Sequence, residues 1–318
     1  MIKVEHLGKH FGKVKAVDDI SFEVNEHETL VLLGTSGCGK TTTLKMLNRL
    51  IEPTHGSIFI KNKNILDQQA EVLRRGIGYV LQNNGLFPHY TVGENIAIVP
   101  QLLKWDKDKI RHRVSELLEK LHLSEDYLDV YPNELSGGQQ QRVGLARALV
   151  ADPPVLLMDE PFGALDNVTK AKIHAEFKAL DELKRKTIIM VTHDVQEAFE
   201  LGDRICLMDK GKIVQIGTPT DLLFKPNNQF VEDFLKEQRL QLEFKAIKPP
   251  SPPEGGTFEL HGVILPAAIG LWELLEQLKF TKSESIAILD NQHKQVGQLN
   301  FQDLMSAFYK YKQQQSHE

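Results

Sequence analysis

The first residues that could do chemistry form a glycine-rich segment near the N-terminus. It follows an apolar run, precedes a helical pattern, and fits the spacing G-x-x-x-x-G-K-[ST] over Gly34, Thr35, Ser36, Gly37, Cys38, Gly39, Lys40 and Thr41. Glycines lack a Cβ, so successive backbone N–H groups can surround phosphate oxygens, and a helix N-terminus adds positive potential. Lys40 supplies a mobile cation, and Thr41 can place its hydroxyl on Mg²⁺. The segment predicts a phosphate-binding loop, which by itself leaves kinases and GTPases open.

A second candidate is a pair of adjacent carboxylates, Asp159 and Glu160, at the end of the apolar run Val155–Met158. Because an unpaired buried charge is costly, a buried strand that ends in acid needs a reason. Asp159 at the strand tip can bind Mg²⁺ directly or through water. Glu160, on the other side of the pleat, can accept a proton from an attacking water. A solvated acidic turn is the alternative, and the upstream phosphate loop weakens it.

A third segment has the composition of a second phosphate cradle. The run Leu-Ser-Gly-Gly-Gln-Gln-Gln-Arg over residues 135–142 places Ser136 and two glycines at the start of a predicted helix. A hydroxyl, backbone amides and the helix dipole together favour an anion. One chain therefore has two predicted anion sites.

With this third segment, the sequence resembles the ATP-binding cassette (ABC) family. Its members carry a P-loop, a Q-loop, an LSGGQ signature, an acidic strand, a D-loop and an H-loop in that order. The resemblance makes Gln82 the Q-loop glutamine and residues 164–166 (Ala-Leu-Asp) the D-loop. It makes His193, after the predicted strand Thr187–Val191, the switch histidine that contacts the γ-phosphate. An isolated histidine is more often structural, and the position after a strand favours the chemical role.

The resemblance also implies a head-to-tail dimer of two copies, in which the signature of one subunit caps the ATP held by the other. It implies an ATPase with catalytic residues Lys40, Gln82, Glu160 and His193. It implies Mg²⁺ contacts at Thr41, Gln82 and Asp159.

ATP contacts are implied at a longer set of positions. They are Phe11, Gly34, Thr35, Ser36, Gly37, Cys38, Gly39, Lys40, Thr41, Thr42, Ser136, Gly137, Gly138, Gln139 and Asp166. Phe11 stands where the family usually has an aromatic ring stacked on adenine, and a core aromatic is the alternative.

About the first 240 residues look closest to the ATPase subunits of importers for quaternary ammonium osmoprotectants, such as glycine betaine, carnitine and choline. The similar stretches are residues 85–92, 95–105 and 152–154. The resemblance implies membrane permease partners, fused to or working with a substrate-binding protein. It places the chain at the cytoplasmic face of the inner membrane, held there by the permease.

Three alternatives stay open at this point. An importer ATPase for a different solute would carry the same motifs. A soluble cassette ATPase for DNA repair would need a long coiled coil, and one for translation would need two cassettes, and neither pattern is present. A P-loop kinase has no place for the LSGGQ segment.

Composition limits the class of protein. The 318 residues are 41% hydrophobic and 25% charged, which is typical of soluble globular proteins and allows two domains. A net charge of −5, with both signs mixed along the chain, disfavours nucleic acid as a partner. The two cysteines, Cys38 and Cys206, do not indicate a disulfide framework and fit a reducing cytoplasm. Since every apolar run is far shorter than the roughly 20 residues that cross a bilayer, a membrane function needs another chain.

The elements that position these residues follow an α/β pattern over residues 1–238. Apolar runs predict strands of a largely parallel sheet at Thr29–Leu33, Gly78–Leu81, Val155–Met158, Thr187–Val191 and Arg204–Met208. An apolar stripe from Ile110 to Leu121 predicts a helix that faces the core. The family resemblance adds an antiparallel β subdomain and a helical subdomain that carries the signature.

A proline-rich run predicts a linker over residues 239–256. Residues 257–318 predict a small α+β unit of order β-α-β-β-α, with strands near Phe258, at Ser285–Leu289 and at Gln295–Leu299. This unit resembles a single CBS motif. Asn300 replaces the hydroxyl residue of the adenosine-binding pattern, three residues before Asp303. A dimerisation or regulatory role is therefore favoured, with a structural appendage as the alternative.

Overall fold

The computed structural model describes residues 1–82, 85–163, 165–246, 264–266, 270–281, 285–289 and 295–317. The chain forms two compact units, Met1–Ile216 and Gly217–Glu318. Within the described ranges, no helix has both the length and the apolar character needed to cross a membrane.

The strands of the first unit alternate with its helices along the chain. They are β1 (Ile2–Phe11), β2 (Val14–Val24), β3 (Thr29–Gly34), β4 (His55–Ile60), β5 (Lys63–Asn64), β6 (Ile77–Val80), β7 (Val155–Asp159), β8 (Thr187–Val191), β9 (Arg204–Asp209) and β10 (Lys212–Gly217). The strands predicted from apolar runs are confirmed, with ends that differ by at most one residue.

These strands form two sheets. The larger has the order β10-β9-β3-β8-β7-β6, and β9, β3, β8, β7 and β6 run parallel to one another. The smaller sheet is antiparallel and has the order β2-β1-β4-β5. Strands β7 and β8 are buried along their whole length, which explains their uninterrupted apolar sequence. The predicted parallel sheet and antiparallel subdomain are both confirmed.

The helices of the first unit are α1 (Lys40–Leu47), α2 (Ala70–Arg75), α3 (Val92–Leu102), α4 (Lys107–Lys120), α5 (Gly137–Leu149), α6 (Asn167–Ala179) and α7 (Val195–Leu201). Helix α4 is the one predicted from its apolar stripe, and Val114, Leu117 and Leu118 are buried. Helices α3, α4 and α5 pack together. They form the predicted helical part that carries the signature at the start of α5.

The second unit contains α8 (Pro219–Phe224), α9 (Gln229–Leu235), α10 (Arg239–Ala246), β11 (Ile264–Pro266), α11 (Leu271–Thr281), β12 (Ser285–Leu289), β13 (Gln295–Asn300) and α12 (Phe301–His317). Strand β12 pairs with β11 in parallel and with β13 antiparallel. The order β-α-β-β-α appears as predicted. Its first described strand is β11, because Phe258 lies outside the described residues.

Helix α10 occupies part of the segment predicted as a linker. Phe244 stacks on Phe308 of α12 with ring centroids 4.3 Å apart, and the buried Glu243 pairs with Arg239 and Lys312. These contacts draw residues 239–246 into the second unit, which begins at Gly217. The prolines dominated the sequence pattern and concealed this short amphipathic helix. The proline-rich residues 249–256 lie outside the described residues, so the remaining domain boundaries stay predictions.

Candidate nucleotide site

The glycine-rich loop connects the end of β3 to the start of α1. Gly39 has φ 107°, and a Cβ added there would lie 2.4 Å from the Ala16 carbonyl oxygen of β2, so the loop requires glycine. The buried Lys40 Nζ donates to the carbonyls of Gly34 and Thr35, each at 2.9 Å. The loop borders a cavity of about 520 Å³ lined by Ser36, Gly37, Gly39, Lys40, Thr41, Thr42, Gln82, Glu160 and His193.

Oxygen ligands suited to Mg²⁺ meet at one end of this site. Thr41 Oγ1 donates to Asp159 Oδ1 at 2.8 Å, at the tip of β7. Burial raises the pKa of Asp159, while the Thr41 hydrogen bond and nearby lysines oppose that rise. A bound cation would favour the carboxylate form. A hydroxyl, a carboxylate and the nearby Gln82 amide fit Mg²⁺, which needs few protein ligands when phosphates and water supply the others.

Glu160 is held by groups from two other segments. Its Oε2 accepts a hydrogen bond from Gln82 Nε2 at 3.0 Å and lies 3.1 Å from His193 Nδ1. The backbone of Glu160 has φ 45°, unusual for a residue with a side chain, and its N–H donates to the Val191 carbonyl at 2.9 Å. The two predicted contact residues, Gln82 and His193, therefore meet the predicted base in one cavity. A carboxylate in this position can accept a proton from a water molecule.

The signature segment lies apart from the residues that line this cavity. Ser136 Oγ accepts from the Gln139 N–H at 3.3 Å, and Gln139 Oε1 accepts from the Ser136 N–H at 2.8 Å. Gln139 Nε2 also donates to the Tyr127 hydroxyl at 2.8 Å. These bonds form a capping box at the start of α5, where Ser136 and Gly137 are exposed.

Two further predicted ATP contacts also lie outside the cavity lining. Asp166 Oδ1 accepts the Thr169 N–H at 3.0 Å in the first turn of α6. Phe11 is half exposed, and the Lys9 ammonium lies 5.1 Å from its ring centroid. Ala164 of the D-loop lies outside the described residues. Gly34, Thr35 and Cys38 are likewise absent from the residues that line the cavity. The catalytic, ATP and Mg²⁺ roles of all the predicted site residues stay predictions.

Sequence reasoning missed a polar network behind His193. It joins Lys170 of α6 to Thr192, Asp194 and Glu197 around α7, and His174 of α6 to Glu200 of the same helix α7. The sequence gives only a weak indication of this network. A lysine and a histidine four residues apart share a helix face, but the sequence does not show that this face is buried against α7.

Sequence comparisons identify relatives over most of the chain. A family model described as ABC transporter matches residues 17–163. The chain is 42% identical over 305 residues to the glycine betaine uptake system ATP-binding protein YehX of Escherichia coli (strain K12), spanning 96% of this chain and 99% of that protein. It is 52% identical over 241 residues to the glycine betaine/carnitine/choline transport ATP-binding protein OpuCA of Bacillus subtilis (strain 168), or 76% of this chain. The match spans only 63% of OpuCA.

Solved structures share the fold. The dimeric structure of MJ0796, a bacterial ABC transporter cassette, is 36% identical with a TM-score of 0.62, over 69% of this chain and 98% of that one. The structure of cbiO1 from Clostridium perfringens is 29% identical with a TM-score of 0.64, over 76% and 98% of the two chains. These matches confirm the resemblance predicted from the motifs. The chain belongs to the ABC transporter family.

Proposed function

We propose that this chain is the ATP-hydrolysing subunit of an importer for quaternary ammonium, betaine-type solutes. The observation that carries the enzymatic part is the cavity in which the Glu160 carboxylate faces the phosphate loop, between Gln82 and His193. The solute class is supported by relatives that are glycine betaine (YehX) and glycine betaine/carnitine/choline (OpuCA) transport proteins.

The cavity suits a nucleotide triphosphate with Mg²⁺. The backbone of residues 34–39 and the N-terminus of α1 would hold phosphate oxygens, and Lys40 would exchange two neutral carbonyl acceptors for charged ones. Thr41, Asp159 and Gln82 would hold the Mg²⁺. The ion would neutralise charge that develops on the transferred phosphoryl group.

Within this arrangement each residue around Glu160 has a distinct role. Glu160 removes a proton from the attacking water. Gln82 donates to Glu160 and so orients its carboxylate toward the phosphate loop. The exposed His193 places its imidazole at the cavity, where it can contact the γ-phosphate.

The signature segment needs a second copy of the chain in this proposal. Its exposed helix start lies outside its own phosphate cavity, and a cassette of the same fold has been solved as a dimer. Head-to-tail pairing would bring Ser136, Gly137 and Gly138 of one copy to the ATP bound by the other. Asp166, at the start of α6, would lie at the same interface.

A surface close to Gln82 suits the membrane permease. A cavity of about 300 Å³ is bordered by Leu81, Gly85, Phe87 and Arg147 among others. Phe87 is half exposed and lies with its ring centroid 5.6 Å from that of the exposed Tyr90. Exposed aromatic residues are typical anchors of protein interfaces. Docking there would hold the chain at the cytoplasmic face of the membrane and connect Gln82 to the permease.

We propose that residues 257–318 form a CBS-like accessory unit that pairs with a second copy. Phe280 and Tyr309 of this unit are exposed, as interface residues would be in a single chain. Asn300 Oδ1 and Asp303 Oδ2 accept each other's backbone N–H, which commits both side chains to capping α12. Adenosine binding is therefore not proposed. Phe280→Ser should weaken self-association in analytical ultracentrifugation, and an unchanged association constant would argue against pairing.

The transport proposal is tested by uptake. The chain, reconstituted in vesicles with its permease and binding protein, should drive uptake of radiolabelled glycine betaine, carnitine or choline only when MgATP is present on its side. Maltose serves as the control solute. A complex that hydrolyses ATP but takes up none of the three quaternary ammonium solutes would contradict the proposed solute class. Absence of MgATP hydrolysis would contradict the enzymatic part.

A further inference from the structure

The residues on both sides of His193 are fixed by hydrogen bonds. Buried Thr192 donates from Oγ1 to Glu197 Oε2 at 2.6 Å, and the same hydroxyl accepts the Asp194 N–H at 3.0 Å. Asp194 Oδ1 accepts the N–H groups of Gln196 and Glu197 and so caps α7. The His193 side chain itself is 61% exposed and contacts Glu160 Oε2 at 3.1 Å, and the backbone that carries it is held by these flanking residues.

Lys170 connects this loop to helix α6. Its Nζ donates to Asp194 Oδ2 at 2.7 Å and lies 3.9 Å from Glu197 Oε2. One ammonium therefore faces two carboxylates on α7, and only 16% of the Lys170 side chain is exposed. Without it, Asp194 and the buried Glu197 would lose the ammonium that both carboxylates contact.

The same helix begins at the D-loop. The Lys170 backbone N–H donates to the Asp166 carbonyl at 2.9 Å, so Lys170 lies one turn after that residue. Four residues of helix span about 6 Å. A shift of the D-loop would therefore be transmitted along one helical turn to the ammonium that holds the His193 loop.

A second contact joins α6 to the segment after Glu160. His174, one turn after Lys170, packs edge to face on Phe162 with ring centroids 4.8 Å apart. Its Nδ1 lies 3.2 Å from Glu200 Oε2 on α7. Among the described residues, buried His174 Nε2 and Glu197 Oε1 have no hydrogen-bond partner. Burial raises the pKa of Glu197, while the Thr192 hydroxyl and the positive charge of Lys170 oppose that rise. The contact between His174 and Phe162 therefore connects α6 to the turn that follows Glu160, the proposed base.

We propose that Lys170 is a positioning residue for ATP hydrolysis, which fixes His193 through Asp194 and couples its placement to the D-loop at the start of α6. The inference rests on the proposed ATPase function. Lys170 does not line the nucleotide cavity and its ammonium is bonded to Asp194, next to His193, so its role in the proposal is exerted through His193.

A double-mutant cycle on the full-length chain tests this role. Lys170→Met should lower kcat for MgATP by about tenfold and leave KM within about twofold, since it disturbs a transition-state contact. In a His193→Ala background, Lys170→Met should change kcat by less than about twofold, because the residue it positions is gone. Lys170→Arg should restore most of the activity, since it keeps the charge.

The matched control is Lys172→Met. Lys172 lies on the same helix and is exposed, so this variant should keep kcat within about twofold of the wild type. If Lys170→Met does not fold, Asp194→Asn removes the charge that pairs with the Lys170 ammonium, keeps an oxygen that can cap α7, and enters the same cycle.

The outcomes separate the inference from the function on which it rests. A wild-type chain that does not hydrolyse MgATP contradicts the proposed function. If the wild type hydrolyses MgATP but the effects of Lys170→Met and His193→Ala on kcat multiply, only the positioning role is overturned. The same holds if Lys170→Met keeps full kcat. A purely structural role would lower the melting temperature and would give multiplied effects.

Discussion

The phosphate loop and the signature segment both place glycines at the start of a helix, yet the chain needs those glycines for different reasons. At Gly39 a Cβ would lie 2.4 Å from the Ala16 carbonyl oxygen, and the backbone has φ 107°. At Gly137 the nearest neighbour of an added Cβ is Leu165 Cδ2, at 3.9 Å. Packing within the chain therefore requires a glycine at Gly39 but does not explain the glycine at Gly137.

The two segments also differ in the groups that surround them. Lys40, Asp159, Glu160 and His193 gather at the phosphate loop. The start of α5 is exposed, and Ser136 is engaged with Gln139 in its own helix cap. The phosphate-loop site therefore has its charged and polar groups within a single chain. The other is a preformed helix start whose open surface fits a ligand held by a second copy.

The largest effect on ATPase activity should come from a substitution at the phosphate-loop site. Glu160→Gln keeps size and hydrogen bonding but removes the basicity of the carboxylate. Turnover of MgATP should fall by about two to four orders of magnitude, the typical contribution of a general base, while ATP affinity stays unchanged. Steady-state ATPase rates and nucleotide titrations measure the two quantities. Near-normal turnover would remove Glu160 from the proposed mechanism.

The difference between the two segments also shows what sequence reasoning could reach. The phosphate loop, the carboxylate pair and His193 were predictable because parallel strands end at one edge of a sheet, so residues that follow β3, β7 and β8 must meet. Helix α10 was missed because its stabilising contacts come from α12, far along the chain. Lys170 was missed for a similar reason. Its role depends on the hydrogen bond to Asp194 at the start of α7, which the local sequence pattern does not predict.

At the signature, Gly137→Ala should separate folding from function. Alanine is favourable in a helix and meets no close neighbour here, so the melting temperature should stay unchanged. ATPase activity should still fall by about ten- to a hundredfold, because a methyl group would displace the phosphate from its donors. Thermal unfolding and ATPase assays on the same preparation give both results. Wild-type activity would mean that this glycine faces no ligand.

A smaller effect concerns Arg113, which connects the end of α5 to the carboxylate of Glu182. Arg113 of α4 donates to the carbonyls of Leu149 and Val150 at the end of α5 and to both carboxylate oxygens of Glu182. Arg113→Met should reduce the free energy of unfolding by about 3 kcal/mol at neutral pH, the low end for a broken buried pair, since Lys120 still contacts Glu182. ATP affinity should be unchanged because Arg113 does not line the nucleotide cavity.

The pH dependence of that loss follows from the carboxylates. Hydrogen bonds from Lys120 and Arg113 lower the pKa of Glu116 to about 2. Burial alone would raise the pKa of Glu182, but bonds from Arg113 and Lys120 lower it overall. Stability from a lowered carboxyl pKa is present above the unfolded value and is lost as pH falls through the folded value. The difference between wild type and Arg113→Met should therefore shrink below about pH 4.5 in denaturant titrations. A constant difference would contradict these assignments.

The most direct test of the two-copy site is to mix two impaired variants. Lys40→Ala damages the phosphate loop and keeps the signature, whereas Gly137→Ala damages the signature and keeps the phosphate loop. If the signature acts on the other copy's ATP, a mixed dimer contains one site with neither change, and the mixture should hydrolyse MgATP faster than the average of the separate variants. A mixture whose rate equals that average would contradict the proposal that each signature completes the partner's site.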